Sequence, residues 1–461
     1  MVRKDVNMLS GSIVKGLLAI SFPVMIMNVI SSLYNIIDMT ILKTFDTDGG
    51  IAVGAVGVCG TLITLITGLV TGVSTGANVV IAKHIGRKHQ EDVDHAIATA
   101  MAFAITAGIG LAVIGITFAD TFLSWTSCPE LLMPQAVLYF RLYFAGVPIL
   151  MVYNFCASMM RASGNSRQPM TFLIIGGAVK VASAYLFVGK FRLGVVGVAA
   201  ATIVSWGLLV VMALSALIRS KGIVKVRLKA TRFYKAELLP MLKIGVPAGL
   251  QAALYSVANV LISATVNSYG PQATTGISIA NNFDAVLYNI STATSLAVLP
   301  YVSQNIGAKN LKRATQSVWK GTLITVALGA SIGALFAIFS AQLSSIMSDD
   351  PVVIAYSQDK MIIVSSTYFI LGIYEILGAA LRAMGKPLVP TVATFIFMCV
   401  LRFVWVYFVY PLYPNLTFLY MVWPVGWVLC IITSLIFYFP TVKKQAKLLG
   451  VSPAAEQVQN S

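Results

Sequence analysis

The residues able to do chemistry are few, and they lie where lipid-compatible sequence makes them costly. Asp38 falls near the end of an apolar run, Gly16 to Leu42. Asn28, Ser31 and Asn35 precede it at steps of three or four, which on a helix puts all four on one face. Lys180, Asp284, Glu375 and Arg402 stand inside other apolar runs. A charge at the centre of a membrane-spanning helix costs about 2.5–3.5 kcal/mol on insertion scales, so such residues face protein or water and mark functional pathways. A carboxylate held there can load and release a proton or coordinate Na⁺. Asp38, with Asn35 beside it, is the candidate cation-coupling group, and Lys180 is expected either to form an ion pair with Asp38 or another acid or to take part in coupling. Asn281, Asp284, Tyr288, Ser291 and Ser295 share one face of a second run, and Gln251, Tyr255, Asn259, Ser263 and Asn267 share one face of a third. With Glu375, on the face of Tyr368, Gly372 and Ala379, they form a candidate polar lining for substrate or cation. Arg402 is expected to neutralise an acid or to reach a carbonyl.

Composition names the setting. Of 461 residues, 58% are hydrophobic and only 10% charged, against about 25% charged in soluble domains. Mean hydropathy is +0.85. Twelve apolar segments, about 14–42, 51–82, 93–119, 133–160, 168–189, 195–218, 238–267, 273–304, 314–340, 352–381, 388–411 and 417–440, are each long enough to span a bilayer as a helix. No small-residue cleavage site precedes the first run, so no removable signal peptide is expected. With the N-terminus placed inside, most of the 32 Lys and Arg fall in inner loops, and Lys43, Arg141, Lys190, Arg192 and Lys360 fall outside. The net charge of +16 therefore reflects topology, and no nucleic-acid partner is implied. Both termini are expected in the cytoplasm, in a multi-pass protein of the plasma membrane.

The chain repeats itself. Pro23 returns as Pro247 and Asn35 as Asn259, at one common offset. Ile85-Gly86-Arg87-Lys88 returns as Ile306-Gly307-Ala308-Lys309, and Met160-Arg161-Ala162-Ser163-Gly164 as Leu381-Arg382-Ala383-Met384-Gly385, both at a second, slightly shorter offset. Pro169 and Pro390 keep that second spacing, and a small slip in the first outer loop accounts for the change. The expected fold is an all-α membrane protein, with twelve transmembrane helices in two parallel, pseudo-two-fold-related six-helix lobes around a central cavity. The lobes are 1–217 and 238–461, joined by a basic cytoplasmic linker, 218–237. Pro23 and Pro247 each remove a helix hydrogen bond and are candidate bend points.

Chemistry of other kinds finds little footing. No P-loop, dinucleotide fingerprint, Ser-His-Asp set or H-E-x-x-H motif occurs. The five cysteines are scattered in or beside apolar runs without metal or redox spacing and read as small buried hydrophobes. His84, His89 and His95 share one charged loop and read as solvated. The protein is expected to be no enzyme, to hold no metal or cofactor, and to draw energy from an ion gradient, H⁺ or Na⁺.

The bent first span ending in Tyr34-Asn35-Ile36-Ile37-Asp38, the Gly/Ala-rich second span running into Ile85-Gly86-Arg87-Lys88, and the twice-used Arg-Ala-x-Gly followed by proline resemble the multidrug and toxic compound extrusion family. The resemblance covers nearly the whole chain. It implies two V-shaped lobes and efflux of diverse, often cationic compounds in exchange for H⁺ or Na⁺, by a monomer working in the lipid bilayer. Asp38 matches the family's first-helix acid. In the fifth span many members carry an Asn and, four residues on, an Asp; here Lys180 and Ala184 stand there, so Lys180 is expected to disable or replace the usual Na⁺ site. The alternative is a flippase or exporter of lipid-linked precursors or metabolites from the same superfamily.

Overall fold

The computed structural model describes residues 6–45, 49–126 and 128–450, without the side chains of Ser32, Asn35, Ile36, Thr61, Ser256, Val257 and Val260. Twelve helices are long and apolar enough to cross a membrane, and no strand occurs among the described residues. We number them α1 (Ile13–Phe45), α2 (Gly49–Arg87), α3 (Gln90–Thr117), α4 (Met133–Ala162), α5 (Arg167–Lys190), α6 (Gly194–Ile218), α7 (Lys235–Asn267), α8 (Pro271–Gly307), α9 (Leu311–Ile338), α10 (Pro351–Ala383), α11 (Leu388–Leu412) and α12 (Leu416–Leu449). They follow the twelve apolar segments one for one. Their outward faces carry large exposed apolar side chains, such as Ile109, Val211, Leu323 and Ile436, as lipid-facing helices require.

The sequence repeat is a repeat of helix ends. Lys88 and its counterpart Lys309 have φ of +59° and +58°. Each N–H returns to a carbonyl three residues back, on Ile85 at 3.0 Å and on Ile306 at 3.1 Å. At the ends of α4 and α10, Gly164 and Gly385 adopt φ of +93° and +82°. The following N–H groups, of Asn165 and Lys386, bond the carbonyls of Met160 and Leu381 at 2.9 and 2.8 Å. These are left-handed caps that satisfy the last carbonyls of a helix and that glycine fills without strain. The twice-used Arg-Ala-x-Gly is thus a stop signal. Tyr153 and Tyr374, related by the same offset, repeat a further bond. Each hydroxyl donates to the carbonyl of the repeated proline, Pro169 or Pro390, at 3.3 and 2.7 Å.

Two compact units result, and they depart from the two sequence halves at the helices that carry Pro23 and Pro247. The first unit holds Ile26–Gly245; the second holds Val6–Met25 and everything from Val246. The chain changes unit close to Pro23 and again beside Pro247. In the second unit the early segment is held by Asn305, whose amide donates to the Met8 carbonyl at 3.1 Å, and by Arg313, which reaches the carbonyls of Met8 and Ser10 at 2.8 Å each. In the first unit the linker and the start of α7 are held by His84, 2.9 Å from Glu237, and by the Tyr234 N–H, which donates to Thr99. Of the three histidines expected in a solvated loop, His89 is exposed, while His84 and His95 differ. α2 continues to Arg87, and His84 is buried, with its second ring nitrogen 3.5 Å from Asp92. His95 stacks on Tyr234 at 3.9 Å.

The caps make a prediction. Gly385→Val forces a β-branched side chain into the left-handed region, at a cost of about 1–2 kcal/mol, and lowers the apparent melting temperature in detergent by several degrees. Gly110→Ala, where an added methyl meets nothing within 4 Å, leaves it unchanged.

Candidate functional site

In the first unit, α5 is drawn against α1 by the absence of a side chain. A Cβ on Gly177 would overlap the ring of Tyr34, whose hydroxyl bonds the Ile174 carbonyl at 3.3 Å. Ser205 of α6 holds the other side through the Gly176 carbonyl at 2.8 Å. One turn beyond this crossing on each helix stand Lys180 and Asp38, with Nζ 2.6 Å from Oδ2. Asp38 is 6% exposed, and its Oδ1 has no hydrogen-bond partner among the described residues. The expected pair therefore forms. The side chain of Asn35 lies outside the described residues.

The second unit carries more. Asp284 of α8 accepts from Ser365 at 2.7 Å on one oxygen and from Lys360 at 2.9 Å on the other. The same ammonium donates to Asn281. The charge pattern of the sequence places Lys360 outside; it is instead 1% exposed, and it is the counter-ion that sequence reasoning misses. It directly precedes Met361–Ser365, a π-helical stretch of α10 that carries Ser365. π-type turns recur at functional sites because they shift the side-chain register within a helix. Such stretches occur near two further interior cations: Tyr185–Lys190 follows Lys180 on α5, and Phe395–Val400 and Trp405–Val409 bracket Arg402.

Glu375 is buried, with an oxygen 3.9 Å from Arg382. That guanidinium bonds Gln251 at 2.9 Å, and Gln251 donates to the Tyr374 hydroxyl at 3.2 Å. The α7 stripe is therefore occupied residue by residue: Gln251 by Arg382, Tyr255 by the Trp427 indole N–H at 3.3 Å, and Asn259 by Arg402 at 2.7 Å. Tyr288 joins through its ring, 6.0 Å from that of Tyr255. Arg402 reaches an amide oxygen, with no acid in ion-pair range among the described residues. No group of three or more His, Cys, Asp or Glu among those residues is placed to hold a metal ion.

Buried acid–base pairs on membrane helices, in two units built from one repeated plan, define a membrane transporter fold. The sequence profile described as MatE matches residues 23–186 and 247–408, once for each half. The chain is 25% identical over 400 residues to a probable multidrug resistance protein, YpnP, of Bacillus subtilis, covering 87% of this chain and 89% of that one. It is 23% identical over 391 residues to an FAD transporter of Shewanella oneidensis, covering 83% and 85%. A solved MOP-superfamily transporter from Pyrococcus furiosus superposes with a TM-score of 0.86 at 17% identity, over 98% of this chain and 100% of that one. The chain belongs to the MatE family of multidrug and toxic compound extrusion transporters, which are not enzymes.

The pairing predicts a thermodynamic cycle. Lys180→Met strands a buried carboxylate, and removing one partner of such a pair costs about 3–5 kcal/mol. The double variant Lys180→Met/Asp38→Asn recovers most of that loss in apparent melting temperature.

Proposed function

We propose that the protein is a secondary antiporter that exports small organic molecules, driven by inward flow of H⁺, with Asp38 as the coupling acid and Lys180 as its internal competitor. The observation that carries this is the 2.6 Å contact between the Lys180 ammonium and Asp38. An ammonium fixed at that distance fills the place a Na⁺ would take on the carboxylate. A proton needs no such space: it converts the carboxylate to a neutral acid and frees the ammonium. Exchange then requires a state in which the pair is loosened, since breaking it outright costs several kcal/mol and one pH unit supplies only about 1.4 kcal/mol. Substrate binding or the change of access supplies the remainder, by favouring one of two states of comparable energy. Pro23 and Pro247, beside which the chain changes unit, are the bend points we assign to that change.

Asp284 and Glu375 in the second unit are likewise met by cations and serve there as a polar lining, with Gln251, Tyr255, Asn259, Asn281 and Tyr288. The distribution of Lys and Arg supports both termini in the cytoplasm and a plasma-membrane location. A monomer suffices, because each buried acid finds its base within its own unit.

A second reading, export or flipping of a metabolite, draws on three observations. The relatives include an FAD transporter besides multidrug resistance proteins. The interior acids are already neutralised, which weakens the case for a cationic cargo. The Pyrococcus furiosus transporter has a binding pocket of reverse polarity that suggests a different function.

Proteoliposomes decide the coupling. Ethidium movement is expected under an imposed pH gradient and not under a Na⁺ gradient, with at least a tenfold loss in Asp38→Asn. Full gradient-driven movement in Asp38→Asn removes Asp38 from coupling, and equal driving by Na⁺ removes the proton assignment.

A further inference from the structure

Among the described residues, Arg402 is the interior cation of the second unit that has no acid in ion-pair range. Asp284 takes Lys360, and Glu375 faces Arg382. Arg402 is 1% exposed, yet only one of its terminal nitrogens is engaged, with Asn259 Oδ1 at 2.7 Å. The other, Nη2, is buried without a hydrogen-bond partner. An unmet charged donor in an interior costs more than the about 1–3 kcal/mol of a neutral one, and Nη2 is therefore a donor awaiting an acceptor. The guanidinium carbon lies 5.2 Å from the centre of the Trp423 ring, and the Lys360 ammonium 5.6 Å from the same centre. A cation–π contact offsets part of the desolvation but supplies no in-plane acceptor. Asn259 and Asn281, the amides on the two cations, are both exposed. A solute at their surface is thus one side chain away from each charge.

We propose that the interior of the second unit recognises the anionic group of a small organic substrate, a phosphate or a carboxylate, with Arg402 Nη2 as the principal donor and Lys360 as a second positive charge. Guanidinium suits either group because its planar donors match two oxygens at once. The half-buried tyrosine rings nearby supply a surface for a flat organic body: Tyr255 lies 6.0 Å from Tyr288. This rests on the reading of the protein as a transporter and adds organic anions to its cargo.

The test uses two probes with one ring system. Flavin mononucleotide and riboflavin differ by a phosphate, and their fluorescence reports binding to the full-length protein in detergent. Wild type is expected to bind flavin mononucleotide at least tenfold more tightly than riboflavin. Arg402→Gln removes that preference and leaves riboflavin binding unchanged. Asn259→Asp places a carboxylate against the guanidinium and removes the preference from an exposed position, which keeps the test open if Arg402→Gln does not fold. Loss of the preference on adding phosphatidylglycerol assigns the acceptor to a lipid phosphate, and persistence assigns it to a soluble anion; both support the site. Equal binding of the two flavins, binding of neither, or a preference untouched in both variants overturns it. Ethidium movement under a pH gradient, measured on the same preparations, separates the outcomes. If it persists while the flavins bind alike, the anion site fails and the antiporter stands; if it is absent while the preference holds, the reverse is true.

Discussion

Each interior acid among the described residues is met by a base, and that requirement organises the rest. A carboxylate on a helix surrounded by lipid cannot be left alone, because hydration is the only other thing that would hold its charge. Asp38 is answered by Lys180 at 2.6 Å and Asp284 by Lys360 at 2.9 Å, while Glu375 stands at a looser 3.9 Å from Arg382. The looseness of the third has a cause: Arg382 is shared with Gln251. Glycine at 177 and π-type turns beside the cations are the local means by which α-helices bring such groups together. A buried pair is poor evidence for stability, since apolar residues of similar volume would serve as well or better. Three of them point to charge being handled.

Duplication supplied the scaffold but not the chemistry. The left-handed caps at Lys88 and Lys309 and at Gly164 and Gly385 survive in both units. Arg161 also returns as Arg382, but the interior acids and lysines do not. In the register of the repeat, Asp284, Lys360 and Glu375 correspond to Ile63, Tyr139 and Asn154 of the first half, and Asp38 corresponds to Ile262 of the second. The interior cations are nearer to matching, since Arg402 stands next to the position that repeats Lys180. Each reaches across to the first helix of its half, to Asp38 in one and Asn259 in the other. Two copies of one frame thus came to answer the cation on their fifth helix differently, with an acid in one and an amide in the other.

Much of this is legible in the chain itself. Twelve spans, their order and the repeat follow from apolar run length and spacing; the cost of an unpaired charge requires an acid for Lys180, and the family resemblance points to Asp38. Lys360 is not legible, because a lysine near the end of an apolar run looks like a loop residue that reaches for water. What sets it apart is Asp284, remote in sequence and 2.9 Å away in space. His84 misleads for the converse reason: charged neighbours suggest a loop, while α2 continues beneath them. Spacing also puts Gln251, Tyr255 and Asn259 on one face without saying that each already has a partner. Nor can sequence order show where the helices pack, although the two prolines mark where the chain changes unit.

That exchange of segments bears on biogenesis. The ribosome delivers α1 long before the second unit exists, so Val6–Met25 must wait in the membrane for a partner surface that is made only after Gly245. The first unit in turn is unfinished until the chain has been translated past the linker into α7. A gene divided between the halves would yield two polypeptides, each carrying a piece the other needs. Such fragments would regain a native arrangement only by trading those pieces, so quality control that removes orphan helices would read either one as incomplete.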